Sequence, residues 1–296
     1  VTSPIPQLQL ISLNFLARLH SDEADESLNR AMASPFLIIR LEAALHLAEI
    51  KAPKAVGQIE SLMHKVDPEL VPIFPQLYAL AGTDEAIRIL RKLLNHQDEQ
   101  VRIEAILSVA KSGRDDLLPI IRKLATHHSV PQQEACAWAL GILKDEASIS
   151  KLETLSRSNT PSVRLAALQA LYHMGRKELR SQIESEAKNE DLFAISLLGE
   201  IESSEQTLFD LSQRPNQQVK INAALALLER KDPRCLSTLK EILIRDSRDL
   251  AFLAVSSVGG ALSSWKAVPS ARQNFSENEI MPSEPVTVVL SDKGWI

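Results

Sequence analysis

The chain has 296 residues, 45% of them apolar but only 4% aromatic, with nine glycines and a formal net charge of −5. That length lies where single cores give way to several domains or to repeats. A composition poor in aromatics and glycine argues against a turn-rich β protein, and the mild negative charge disfavours a general nucleic-acid binder. The two cysteines, Cys136 and Cys235, make no disulfide framework. No stretch of the sequence is apolar for long enough to span a membrane.

Read in chain order, the sequence repeats. The run Ile39-Arg40-Leu41-Glu42-Ala43-Ala44-Leu45 returns as Val101-Arg102-Ile103-Glu104-Ala105 and as Val163-Arg164-Leu165-Ala166-Ala167. The three arginines stand 62 apart, and a step of 31 joins Gln9, Arg40, Val71, Arg102, Gln133 and Arg164. Shorter steps of 27 and 29 lead to Asp191 and Lys220, and a final 31 to Ala251. We number positions from these nine reference residues. At +3 stand Ser12, Ala43, Phe74, Ala105, Cys136, Ala167, Ala194, Ala223 and Ala254, and at +7 an apolar residue in every unit. At +8 several units carry Ala or Gly, as at Ala48, Ala110 and Gly141.

Within each unit the spacing predicts two helices. In the first, Leu41, Ala44, Leu45 and Ala48 share a face and are expected to be buried. A second follows a break, as in Glu85 to Leu94, with Ile59, Leu90, Ile121, Leu152 and Ile183 at one buried position. Asp67, Asp98, Ser129, Thr160 and Asn216, each four residues before a reference, are expected N-caps, and Pro68 and Pro161 sit where a missing N–H costs nothing. A lone hairpin cannot cover both apolar stripes, whereas a stack of hairpins can.

After Ala261 the helical period stops; Gly259-Gly260 and Pro269 interrupt it. The expected domains are a repeat region over 1–261 and an extended or partly disordered tail over 262–296. The tail's β-prone run Val286–Leu290 is expected to add to a partner's sheet edge, to dock back as a cap, or to stay disordered. The chain opens at Val1 without a basic and then apolar leader, and is expected to be a processed or excised piece that works in the cytoplasm.

The segments Val101–Gly113, Gln132–Leu143 and Val163–Gly175 resemble HEAT and the shorter HEAT-like (PBS-lyase type) repeats. Phe74-Pro75 and the short seventh unit depart from the pattern. The resemblance implies an all-α, right-handed α-solenoid of about nine two-helix repeats. It also implies a concave side, lined by second helices, that binds proteins or peptides.

On that side the sequence places a charge band: Glu60, then Arg88 with Arg91-Lys92, then Arg122-Lys123, then Glu153 and Glu184. Complementary banding sets partner register, so these eight residues are the candidate binding site for another protein or peptide. The ladder of Arg40, Arg102 and Arg164 offers a grip on a polyanion or a tie to a nearby carboxylate or carbonyl. The tie is preferred, because a cation at a helix start opposes the dipole and calls for a local partner.

No catalytic constellation is read. His96 and His127 are equivalent on adjacent rungs roughly 8–10 Å apart, too far to share a metal. The related di-iron hydroxylases use His-Glu pairs, and no His here precedes Glu. Cys136 is expected to be an inert buried thiol and Trp138 a packing residue. The sequence therefore predicts a binding scaffold, not an enzyme, with no cofactor and no metal. Kept as alternatives are a bilin lyase-like or DNA glycosylase-like enzyme and a nucleic-acid-binding scaffold.

Overall fold

The structure is a computed structural model that describes residues 5–19, 21–52, 54–245, 290–291 and 294–295. The expected ninth unit (Ala251, Ala254, Val258), Gly259-Gly260 and all but four residues of the expected tail lie outside the described residues. Leu290–Ser291 and Gly294–Trp295 form a minimal antiparallel pair, and every other described element is helical.

The chain divides into two compact units, 1–176 and 177–296. In the first unit, five hairpins run α1 (Pro6–Leu16) and α2 (Asp22–Ala31), α3 (Leu37–Glu49) and α4 (Ala55–Met63), α5 (Phe74–Ala81) and α6 (Asp84–Leu93), α7 (Glu99–Ser112) and α8 (Leu118–Leu124), α9 (Val130–Ile142) and α10 (Ile149–Leu155). The helix α11 (Pro161–His173) completes it. The second unit holds α12 (Arg180–Lys188), α13 (Leu192–Leu198), α14 (Glu205–Ser212), α15 (Gln217–Glu229) and α16 (Cys235–Arg245).

In the first unit each first helix packs on the next one, α1 on α3, α3 on α5, α5 on α7, α7 on α9 and α9 on α11. In the second unit α13 packs on α15 in the same way. This stacking buries the repeat's own positions. The +3 residues Ala43, Phe74, Ala105, Cys136, Ala167, Ala194 and Ala223 are all 0% exposed. So are Ile59, Leu90, Ile121, Leu152 and Ile183 on the second helices. Two glycines show how the rungs meet. A Cβ on Gly141, at +8 of its unit, would lie 2.5 Å from the Ala170 Cα, at +6 of the next. In the second unit a Cβ on Gly199, again +8, would meet the Ala226 Cα, again +6, at 3.3 Å. The small residue at +8 therefore lets one first helix approach the +6 face of its successor. That face is buried at His46, Leu77, Ser108, Ala139 and Ala170, whereas Phe15 on α1 is 65% exposed.

Flanked on both sides and covered by second helices, a middle first helix is buried over a wide arc. This corrects one expectation. On α3 the deepest residues are Ile39, Ala43, Ala44, Leu47 and Ala48, and Leu41 and Leu45 sit half-buried at the arc's edge.

The caps also depart in part. Asp98 accepts from the Gln100 and Val101 amides, Ser129 from Gln132 and Asn216 from Gln218 and Val219. Thr160 is an N-cap without a side-chain bond. Asp67 opens a 3-10 segment, Pro68–Ile73, because Pro72 has no amide to give an α-helix there. Asp191, placed by the repeat as a reference residue, is instead the N-cap of α13, accepting from the Ala194 amide. The seventh unit thus lacks the first turn of its first helix, yet keeps Ala194 and Leu198 buried in register.

Candidate functional site

The reference residues tie the rungs together. Arg40 Nη1 donates to the Ser34 and Pro35 carbonyls at 2.7 and 3.2 Å. Arg102 Nη1 donates to the His96 and Gln97 carbonyls at 2.8 and 2.9 Å, and Arg164 Nη1 to the Ser158 carbonyl at 2.8 Å. These carbonyls follow the ends of second helices, where α-helical acceptors are left open. Gln133 does the same work with an amide, donating to the His127 carbonyl at 2.7 Å. Arg102 Nε also reaches Gln132 Oε1, on the next rung, at 2.9 Å. The arginine ladder is therefore engaged within the fold, each member at the end of the second helix that precedes it.

The second helices present the charge band. On α6 the apolar stripe Ala86, Ile87, Leu90 and Leu93 is buried, and Arg88, Arg91 and Lys92 stand on the opposite, exposed side. Lys123 is exposed in the same way on α8. Arg122, however, is clamped. Its Nε and Nη2 reach Asp145 Oδ2 and Oδ1 at 2.7 and 2.5 Å. The Asp145 side chain is 4% exposed and also accepts from Ser148. The Arg122 guanidinium first of all, with help from Ser148 and against burial, holds the Asp145 carboxyl below the usual aspartate range. This pair locks α8 to the turn before α10.

The other members divide in the same way. Arg91 lies 3.7 Å from Asp116, whose carboxylate is held more closely by Arg114 at 2.8 Å. Glu153 pairs with Arg176 at 3.3 Å. In the second unit Glu184 pairs with Arg180 at 2.7 Å, and Arg180 also donates to the Ser203 carbonyl. Glu60 is half-buried on α4. Among the described residues, Arg88, Lys92 and Lys123 have no ion-pair partner in the fold, so their charge faces outward. The band seen in the sequence is thereby reduced to three available cations on two adjacent second helices, with Arg91 only loosely held beside them.

One buried titratable group escaped the sequence reading. His46, at +6 of α3, lies 3.4 Å from Glu42 and 3.1 Å from Glu49. Glu42, then Glu49, hold its imidazole above the usual histidine range against the opposing effect of burial. Glu42 is lowered in turn, chiefly by His46 and against burial, with a smaller contribution from Asn14 of α1. Cys136 is fully buried and its thiol is pushed up to about 12; Cys235 is buried too, its thiol pushed up to about 11. Among the described residues no group of three His, Cys, Asp or Glu side chains could hold a metal ion. None of the described helices is long and apolar enough to cross a membrane.

Residues 80–172 match a family model described as HEAT repeats. No curated protein shows a significant sequence match. Among solved structures, the complex of CpcE and CpcF of phycocyanin lyase from Nostoc sp. PCC7120 is similar, with 18% identity and a TM-score of 0.51. The match covers 73% of this chain and 92% of that one. Escherichia coli YibA is 20% identical over 95% of this chain and 94% of its own, with a TM-score of 0.40. Human deoxyhypusine hydroxylase in complex with glycerol is 18% identical over 88% and 98%, with a TM-score of 0.37.

Proposed function

We propose that this stack of HEAT-like repeats is a protein-binding scaffold that receives an acidic stretch of another polypeptide on the exposed face of α6 and α8. The observation that carries the reading is the contrast among cations. Arg122 is neutralised by Asp145, and Arg102 and Arg164 are tied to carbonyls within the fold, whereas Arg88, Lys92 and Lys123 are held outward by rigid helices and paired with nothing described. Exposed charges of this kind set partner register and speed encounter more than they add affinity. On this reading the chain is a binding protein and not an enzyme, and the rigid rungs act as a ruler on which the charges are spaced.

A photo-crosslinking residue at Lys92 or Lys123, and a control at Lys111 on a first helix, tests it in native extract. The reading expects discrete protein adducts from the first two positions, weakened when Arg88 and the remaining lysine are changed to Glu. Adducts of equal yield from Lys111, or adducts indifferent to the reversals, sink it. Arg122→Glu is a poor probe, since it strands Asp145.

A further inference from the structure

A hollow of about 650 Å³ lies against the outer face of α4. Its origin can be read from the repeat. Gly57 and Ser61 on α4 occupy the positions that hold Arg88 and Lys92 on α6, 31 residues on. With two long side chains replaced by a hydrogen and a hydroxymethyl group, the ridge of second helices is interrupted. A Cβ built on Gly57 would touch nothing within 4 Å. The end of α2 walls one side through Met32, Ala33 and Ser34, and Glu85 of α6 stands on the other.

The charge around the hollow is lopsided. Arg40, Lys54 and Lys65 line it against the single carboxylate of Glu85. Arg40 spends Nη1 on the Ser34 and Pro35 carbonyls, which fixes its guanidinium in place. Lys54 and Lys65 are exposed and have no described ion-pair partner. Lys54 is the N-cap of α4 with a φ of 71°, a left-handed conformation that few non-glycine residues adopt. Gln58 adds a polar wall, its Nε2 donating to Asn29 Oδ1 at 3.0 Å.

We infer that this hollow is a binding site for a short acidic peptide segment, its carboxylates against Lys54, Lys65 and the Arg40 guanidinium. The hollow is open on its outer side, as a site for a polypeptide segment must be, and three cations against one anion select negative side chains. The inference rests on the scaffold reading only in taking the ligand to be polypeptide; the hollow and the α6–α8 cations are separate surfaces.

The test is selection of a random-peptide phage library on the intact chain, followed by anisotropy titration of the enriched peptides. Three variants are compared. Gly57→Gln with Ser61→Gln fills the hollow at constant charge. Lys54→Ser with Lys65→Ser keeps the space and removes charge. Lys92→Ser with Lys123→Ser alters only the neighbouring band. Urea midpoints establish that each is folded. The expected result is enrichment of Asp- and Glu-rich sequences, with affinity reduced about tenfold or more by each of the first two variants and little by the third. Enriched peptides without acidic residues overturn the inference. So do acidic peptides that bind the filled variant as well as the wild type. If that binding is lost instead in the Lys92, Lys123 variant, the hollow falls and the scaffold reading stands.

Discussion

Gly141 gives the sharpest mechanical test of the stack. It lies inside α9, and an added Cβ would come within 2.5 and 2.6 Å of the Ala170 Cα and Cβ. Carbon atoms rest at about 3.5–4.0 Å, so Gly141→Ala must push α9 and α11 apart by roughly 1 Å. The obstacle is backbone, which cannot swing aside as a side-chain tip can. Replacing a helical glycine by alanine normally stabilises by up to about 1 kcal/mol, but overpacking costs about 1–3 kcal/mol. The net expectation for Gly141→Ala is therefore a loss of roughly 1–2 kcal/mol. Gly57→Ala is the matched control, also inside a helix but facing open space, and is expected to gain about 0.5–1 kcal/mol. Urea unfolding followed by far-UV circular dichroism measures both. Equal shifts for the two variants would refute the argument that +8 and +6 residues set the distance between rungs.

Three further outcomes are expected. Arg102→Ala frees two carbonyls and Gln132 at once and should lower stability by roughly 1–3 kcal/mol, read from the urea midpoint; Gln133→Ala, with one neutral bond lost, should cost less. His46, whose folded pKa is raised, contributes stability that is fully present below its unfolded value near 6.5 and disappears as pH rises through the raised value. NMR titration should place its midpoint above 6.5, and Glu42→Gln should bring it down; an unshifted midpoint contradicts the geometry. Native protein should resist thiol reagents at both cysteines at pH 8, because Cys136 and Cys235 are buried with pKa values pushed to about 12 and about 11. Labelling should appear only on unfolding.

The register was legible because repetition enforces it. Ala43, Ala105 and Ala167 recur 62 apart and all are fully buried. The caps Asp98, Ser129 and Asn216 were legible for the same reason. What periodicity missed was what repetition does not carry. A single amphipathic stripe put Leu41 and Leu45 inside, but a helix with neighbours on both flanks buries a broader arc. Pro72 turned the first turn of the third unit into a 3-10 segment, and Asp191 took a cap's role because its helix lost a turn. On the functional side, Arg91 and Arg122 look alike in sequence, being 31 residues apart. Only the fold shows Asp145, 23 residues beyond Arg122 in chain order, neutralising one of them. The hollow, by contrast, was present in the alignment as Gly57 and Ser61 against Arg88 and Lys92, but a missing side chain signals a site only once the walls around it are known.

Because every functional argument above hangs charges on equivalent rungs, the most direct measurement removes one rung. Excising residues 129–159 joins His128 to Thr160, so that one expected cap position replaces another 31 residues away. The shortened protein is expected to keep its helical circular dichroism per residue and to unfold cooperatively, whereas an excision of residues 137–165, which fuses α9 to α11 within a helix and turns its buried face by about 200°, should not. If both excisions leave equally disordered chains, the units are not interchangeable and the account is wrong.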